Sequence, residues 1–257
     1  MSEQSRVGLE LGHPGPEPLP VLRRRILLAG VALLVLATAL TVAVSTSGGL
    51  AAVQHVDDWF RNLMVSLRWG PAVSVAKSLN TAFGTAVDWP LRAAVTLVIV
   101  LRRRWLALGA WAVTVGLSEF AIGSLKTLVD RPRPPGGLIV TSGASYPSGH
   151  AIASAVTAIG IVMALTTGRR RLHWMVGAVL IAAAVAFSRT YLSAHWLSDV
   201  VGGSLIGGGL ALAVPEAFEV VRDRRRSRAD GITAGGPPEG EDEVDAAGDS
   251  TGPRPAA

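Results

Sequence analysis

The chain has 257 residues, 49% of them apolar, a formal net charge of +5 and no cysteine. The lack of cysteine excludes disulfides, iron–sulfur clusters and thiolate metal sites within the chain. The basic residues stand in short clusters beside long apolar runs, a pattern typical of membrane topology, so we expect no nucleic-acid partner.

The N-terminal region joins a polar tail to an apolar run. Residues 1–22 are polar and contain several Pro and Gly, which predicts a disordered cytoplasmic tail. Three arginines at positions 23–25 precede an apolar run over about residues 26–44, nearly long enough to cross a bilayer. A cleaved signal peptide has a similar basic start and apolar middle. The long tail and the length of the run favour an uncleaved transmembrane helix.

The next segment is amphipathic. Between residues 52 and 68, apolar side chains recur at helical spacing with charged side chains between them. This pattern predicts a helix that lies at the membrane interface. It would either act as a lid at the membrane surface or merely connect two spans, and the pattern fits both roles.

The remaining apolar runs predict five more spans and a second tail. One run ends at about residue 101, and the others cover about residues 105–125, 148–166, 174–187 and 195–214. From residue 216 the chain is basic, then acidic and rich in Gly and Pro, which predicts a disordered cytoplasmic tail over 216–257. The predicted fold is therefore all-α: a six-span transmembrane helix bundle over residues 23–215, with the interfacial helix added.

The positions of the charges agree with this arrangement. If six spans start on the inner face, all four arginine-rich clusters fall on the same side of the membrane. The positive-inside rule makes that side cytoplasmic. We therefore expect a multi-pass protein of the cell membrane with both termini in the cytoplasm. Gly203 and Gly207 lie one turn apart in the last span and predict close helix packing, either inside the bundle or in a homodimer.

The same topology brings three cations to the outer face. Lys126, Arg133 and Arg189 come from separate segments, and each is costly to bury beside the others. A bound anion relieves that cost, and phosphate suits the forked guanidinium group. Ser148 and Gly149 stand at the start of a predicted helix, where free N–H groups add further phosphate contacts. These five residues predict a phosphate-binding site.

Two histidines and one carboxylate complete the predicted chemistry. His195 and Asp199 are four residues apart, so on a helix they share a face. A carboxylate that accepts the proton of one imidazole nitrogen leaves the other nitrogen free to attack phosphorus. His150 comes from a different helix and would protonate the leaving group as general acid. The charge that develops on the oxygens would be stabilised by the cations.

The three motifs resemble those of a known family. Lys126 with Arg133-Pro134, the run 147–150 (Pro-Ser-Gly-His), and Ser188-Arg189 with His195 and Asp199 are similar to the signature motifs of the type 2 phosphatidic acid phosphatases. That family includes vanadium haloperoxidases and glucose-6-phosphatases. The resemblance implies that His195 is the nucleophile, Asp199 its partner and His150 the acid, while Lys126, Arg133, Ser148, Gly149 and Arg189 hold the phosphate. It also implies hydrolysis without a metal or other cofactor.

The motifs recognise phosphate and do not choose the lipid. An outward-facing site favours a polyprenyl diphosphate of the undecaprenyl kind as substrate, with phosphatidic acid and phosphatidylglycerol phosphate as alternatives. Transfer of phosphate to an acceptor other than water would use the same intermediate. A haloperoxidase is disfavoured by the six predicted spans, and a non-catalytic lipid-binding protein is disfavoured by the intact motifs.

Overall fold

The computed structural model describes residues 19–234, without the side chains of residues 19, 20, 169 and 228–234. This part of the chain is all-α, as predicted. Its helices are α1 (Leu19–Ser45), α2 (Ser47–Ser66), α3 (Gly70–Ala82), α4 (Thr85–Leu101), α5 (Trp105–Val129), α6 (Gly149–Leu165), α7 (Arg169–Tyr191) and α8 (Leu197–Ala234). Within both predicted tails, residues 1–18 and 235–257 lie outside the described residues.

The apolar helices make this a membrane protein. Within residues 19–234, four helices are long and apolar enough to cross a bilayer: α1, α5, α7 and α8. Helices α3 and α4 meet at a bend of 48° and together pass the same test as one broken span. Helix α6 is apolar but has 17 residues, shorter than a usual span. The structure thus supports four or five spans by length, and the count of six stays a prediction.

Helix α3 was missed by the sequence analysis. Ser74, Lys77 and Asn80 interrupt its apolar positions, so the hydropathy signal is weak. Pro71 is compatible with this helix because it lies in the first turn, where the missing N–H costs no hydrogen bond. Its buried Ala76 packs with residues at the end of α7. This packing carries Asn80 to the site described below.

The start and end of α8 also differ from the prediction. The last span was expected to begin at about residue 195, whereas α8 begins at Leu197 and leaves His195 in the connection before it. The disordered tail was expected from residue 216, whereas α8 continues through Pro215 to Ala234. The chain divides into two compact units, residues 1–220 and 221–257. The site lies entirely in the first unit.

Helix α6 lies at the centre of the first unit. Most of its side chains are buried, from Ala151 near its start to Ala164 near its end. Two glycines of α8 allow the close approach of that helix: a Cβ at Gly203 would lie 2.7 Å from the Ser148 carbonyl oxygen, and one at Gly207 would lie 2.6 Å from that of Ile152. These glycines therefore pack inside the bundle, the first of the two roles predicted for them. The contact fixes the start of α8 against the start of α6.

Candidate active site

All eight predicted site residues lie at the ends of helices, or in the connections next to them. Lys126 is in the last turn of α5, and Arg133 follows in the connection to α6. Ser148, Gly149 and His150 begin α6, Arg189 is in the last turn of α7, and His195 and Asp199 flank the start of α8. Lys126 and Arg133 both donate to the Ala144 carbonyl oxygen, at 2.6 and 3.3 Å. The Ser148 N–H donates to the Asp199 carbonyl oxygen at 3.0 Å.

The contacts of His195 define its tautomer. Arg133 Nη1 lies 3.2 Å from His195 Nε2. Since a guanidinium group only donates, Nε2 must be the acceptor and carries no proton. The proton is on Nδ1, which donates to the Ser145 carbonyl oxygen at 2.8 Å. The lone pair of Nε2 is thus directed at the cationic side of the site.

Asp199 faces the same Nδ1 of His195, at a longer distance than the Ser145 carbonyl oxygen. Asp199 Oδ2 lies 3.6 Å from His195 Nδ1, whereas the Ser145 carbonyl oxygen is much closer. His195 precedes the first residue of α8, whereas Asp199 lies in its first turn. Asp199 Oδ2 instead accepts the Trp196 N–H at 2.9 Å and the Ser145 hydroxyl. Asp199 therefore caps the start of α8 and places a negative charge beside the imidazole.

Burial keeps His195 neutral. The residue is 5% exposed. Burial lowers the pKa of His195 to about 4, although the neighbouring Asp199 carboxylate opposes the shift. At neutral pH the imidazole is therefore unprotonated at Nε2, as a nucleophile requires.

Arg131 is a buried residue of the site that the sequence analysis missed. It is 3% exposed, and it donates to Asp199 Oδ1 at 2.9 Å, to Asp57 Oδ2 at 2.7 Å and to the Ser198 hydroxyl at 2.6 Å. Asp57 belongs to α2 and also accepts the Ser198 N–H at 2.8 Å. The amphipathic helix is thus bound to the start of α8 through buried charges. The only signal in the sequence is that Arg131-Pro132 repeats the Arg133-Pro134 pair.

Asn80 is the second residue that was missed. Its side-chain oxygen accepts a hydrogen bond from Arg189 Nη1, and its carbonyl oxygen lies 3.3 Å from His150 Nε2. Because a carbonyl oxygen only accepts, this contact places a proton on His150 Nε2. Asn80 lies in the unpredicted helix α3, so no motif spacing could have found it.

Two buried donors at the site have no partner in the described part of the chain. The Ser148 hydroxyl caps no backbone N–H of α6 and makes no hydrogen bond, although the residue is fully buried. Arg189 Nε is likewise buried and unpaired. Buried polar groups are nearly always satisfied, so both atoms suit an anion bound at the start of α6.

The part of the chain that contains the site matches a known protein family. Residues 107–222 match the family model of the PAP2 superfamily. These residues belong to the PAP2 superfamily. The resemblance seen in the three motifs is thereby confirmed, and all eight predicted site residues lie inside the PAP2 region.

Relatives of the PAP2 region include several phosphatases. An undecaprenyl-diphosphatase of Sulfolobus acidocaldarius is 37% identical over 67 residues, which are 26% of this chain and 30% of the relative. A decaprenylphosphoryl-5-phosphoribose phosphatase of Mycolicibacterium smegmatis is 36% identical over 107 residues, 40% of this chain and 53% of the relative. One of the same name from Mycobacterium tuberculosis is 29% identical over 163 residues, 61% of this chain and 85% of the relative. The chain thus spans 30% of the length of the first relative and 53% of the length of the second.

Two solved PAP2-type structures share the fold. The phosphatidylglycerolphosphate phosphatase of Bacillus subtilis superposes with a TM-score of 0.61 at 24% identity, over 77% of this chain and 96% of that one. LpxE of Aquifex aeolicus superposes with a TM-score of 0.51 at 23% identity, over 61% of this chain and 92% of that one. At these identities the likeness concerns the fold.

Proposed function

We propose that this protein is a membrane phosphatase that hydrolyses lipid phosphates through a phosphohistidine at His195. The observation that carries the proposal is the orientation of His195. Its Nε2 is unprotonated and lies 3.2 Å from Arg133 Nη1. The names of the relatives, all phosphatases of lipid-linked phosphates or diphosphates, support the same class of reaction.

In the first chemical step, His195 Nε2 attacks the phosphorus atom. A P–N bond forms and the bond from phosphorus to the ester oxygen breaks. With the negatively charged substrate bound, His150 carries a proton on both ring nitrogens. It donates its Nε2 proton to the departing oxygen and becomes neutral, so the product leaves as an alcohol, or as a phosphate when the substrate is a diphosphate. Asn80, whose carbonyl oxygen faces that proton at 3.3 Å, holds His150 in position before the substrate arrives.

In the second step, water attacks the phosphorus atom and the P–N bond breaks. His150, now without its proton, takes one from the attacking water, which restores both histidines and releases inorganic phosphate. Lys126, Arg133 and Arg189 stabilise the charge on the phosphoryl oxygens in both steps, together with the Ser148 hydroxyl and the N–H groups at the start of α6. Asp199 stabilises the positive charge that develops on the His195 ring.

The proposed substrates are lipids because the site lies where apolar helices end. The sequence analysis favours a polyprenyl diphosphate, with phosphatidic acid and phosphatidylglycerol phosphate as alternatives. The mycobacterial relatives add a prenyl-linked phosphosugar to this set. The site would act on the outer face of the cell membrane, with both termini in the cytoplasm. A reporter fused after Arg228 should then read as cytoplasmic, and an external readout would place the site on the inner face.

The proposal is tested by phosphate release from detergent-purified protein in EDTA. The wild type should release phosphate from at least one of the four lipids, and His195→Ala should abolish release. His173→Ala is the matched control, since this histidine is exposed at the opposite end of α7. A folded wild type that leaves all four lipids intact would contradict hydrolysis. Strict dependence on added magnesium would contradict the metal-independent mechanism.

A further inference from the structure

Three charged side chains are buried together on the Nδ1 side of His195. Asp57 and Asp199 are 1% and 0% exposed, and Arg131 lies between them. Arg131 Nη2 donates to Asp57 Oδ2 at 2.7 Å, and Arg131 Nη1 donates to Asp199 Oδ1 at 2.9 Å. Two carboxylates and one guanidinium give this cluster one formal negative charge. We call these three residues the buried charge cluster.

Asp199 connects the buried charge cluster to the nucleophile. Its Oδ2 lies 3.6 Å from Nδ1 of His195, the ring nitrogen that does not attack. The same oxygen accepts the Trp196 N–H at 2.9 Å and the Ser145 hydroxyl. These two donors hold Oδ2 beside the ring, whereas Arg131 bonds the other oxygen. The two oxygens of Asp199 therefore have separate neighbours: Oδ2 faces the nucleophile, and Oδ1 faces a positive charge.

The charge of Arg131 works against the reaction. When His195 attacks phosphorus, its ring becomes positively charged, and a negative charge nearby stabilises that state. Arg131 and Asp199 alone would form a pair without net charge, which attracts the ring only weakly. Asp57 binds the second terminal nitrogen of Arg131 and offsets its positive charge. With Asp57 present, the cluster has one net negative charge next to the ring.

A purely structural link between α2 and α8 would not need the charge of Asp57. Gln54, one helical turn before Asp57, already accepts a hydrogen bond from Arg131 Nη2 at 2.6 Å. This neutral acceptor links the same helix to the same nitrogen. Burying a carboxylate costs more than burying an amide, even when the carboxylate is paired. Asp57 is nevertheless held at both oxygens, by the Ser198 N–H at 2.8 Å and the Ser198 hydroxyl at 2.6 Å.

We propose that Asp57 is a positioning residue for the nucleophile: it offsets the charge of Arg131, so that Asp199 acts on His195 with its full negative charge. The inference rests on the proposed hydrolysis. It adds to the site a residue of the amphipathic helix α2, which lies outside the three motifs and outside the PAP2 region.

The first arm of the test measures kcat and KM of Asp57→Asn on the best of the four lipids, per folded molecule. We expect kcat to fall about tenfold, which corresponds to about 1.4 kcal/mol of lost transition-state stabilisation. KM and the inhibition constant of inorganic phosphate should stay near the wild-type values, because the cations that hold the phosphate are unchanged. Gln54→Ala is the matched control: it removes the neutral acceptor from the same nitrogen of Arg131 and should leave kcat unchanged.

The second arm uses the double variant Arg131→Met/Asp57→Asn. It leaves Asp199 with its own negative charge, and Ser145 and Trp196 still hold Oδ2 beside the ring. We therefore expect kcat per folded molecule to recover to within about threefold of the wild type. A purely structural link predicts the opposite, a double variant that is no more active than Asp57→Asn.

That result, or a wild-type kcat in Asp57→Asn, would overturn the inference and leave the phosphatase proposal intact. Should Asp57→Asn not fold, a loss of about tenfold or more in the double variant would overturn the inference by itself. A folded wild type that hydrolyses none of the four lipids would contradict the proposed hydrolysis, and this role of Asp57 with it.

Discussion

Arginine side chains enter the helix bundle at both ends of α7. At the inner end, Arg171 donates to the Thr166 carbonyl oxygen at 2.9 Å and to Glu216 at 3.3 Å, and Arg104 donates to the Ala164 carbonyl oxygen at 2.6 Å. At the other end, Arg189 donates to Asn80 but leaves Nε buried and unpaired, and the Ser148 hydroxyl at the start of α6 is also buried and unpaired. The inner arginines thus serve to hold helices together. At the site end of α7, the unpaired donors are available for a phosphate.

The sharpest test of this comparison is a matched pair of substitutions at the two ends of α7. Arg189→Met should lower kcat about 10²- to 10³-fold, the usual effect of losing one donor to transition-state oxygens. Arg171→Met should destabilise the protein by about 3 kcal/mol or more, because it leaves Glu216 buried without this partner. The activity of Arg171→Met per folded molecule should stay near that of the wild type. Thermal unfolding and kcat measured on both variants decide the outcome, and a reversed pattern would refute the comparison.

Arg131 sharpens the comparison because it lies at the site and yet both of its terminal nitrogens are paired. Arg131→Met should cost about 3–5 kcal/mol of stability, since Asp57 and Asp199 would keep their charges buried. The double variant Arg131→Met/Asp57→Asn should recover part of that loss. The measurement is chemical denaturation of the three proteins in one detergent. If the double variant were no more stable than the single one, the pair would not be the source of the loss.

Ser148 offers a smaller effect on the unpaired side. Ser148→Ala removes a hydroxyl that makes no hydrogen bond, so stability should be unchanged or slightly higher. The value of kcat/KM should fall about tenfold, because a phosphate donor is lost. Ser154→Ala is the matched control: this hydroxyl already donates to the Ala151 carbonyl oxygen at 3.3 Å. A destabilised Ser148→Ala with full activity would show that the hydroxyl is structural.

The pH dependence tests the buried state of His195. Burial lowers the pKa of His195 from 6.5 to about 4 in the folded protein. Protonation of His195 removes its nucleophilic lone pair. We therefore expect kcat/KM to decrease as the pH falls through about 4, and not as it falls through 6.5. Between these values the unfolded chain binds the proton more readily, so this histidine lowers stability as the pH falls from 6.5 to 4. A fall of kcat/KM centred near pH 6.5 as the pH decreases would contradict a buried, neutral His195.

The sequence alone predicted the all-α class, which the structure confirms, and it proposed eight site positions: five for phosphate, two histidines and Asp199. Both depend on local patterns: apolar runs specify helices, and the three motifs keep their residues within short stretches of chain. It could not determine that Ser145 would be the acceptor for His195 or that Asp199 would cap α8. Those contacts depend on where α8 begins, a boundary that the pattern set two residues too early.

The tertiary structure decided which residues support the motifs. Asp57 and Arg131 are 74 positions apart, as Arg131 and Asp199 are 68 apart, and no spacing predicts such pairs. Asn80 reaches His150 across 70 positions because α3 packs on α7, although its polar residues hid that helix from the hydropathy pattern. Burial could not be read from the sequence either: Asp57, one of the charged residues between the apolar positions of the amphipathic segment, is 1% exposed. The contribution of an ion pair to stability depends on the distance between the two charges and on their burial. Only the folded chain sets these two quantities, so the local sequence cannot predict them.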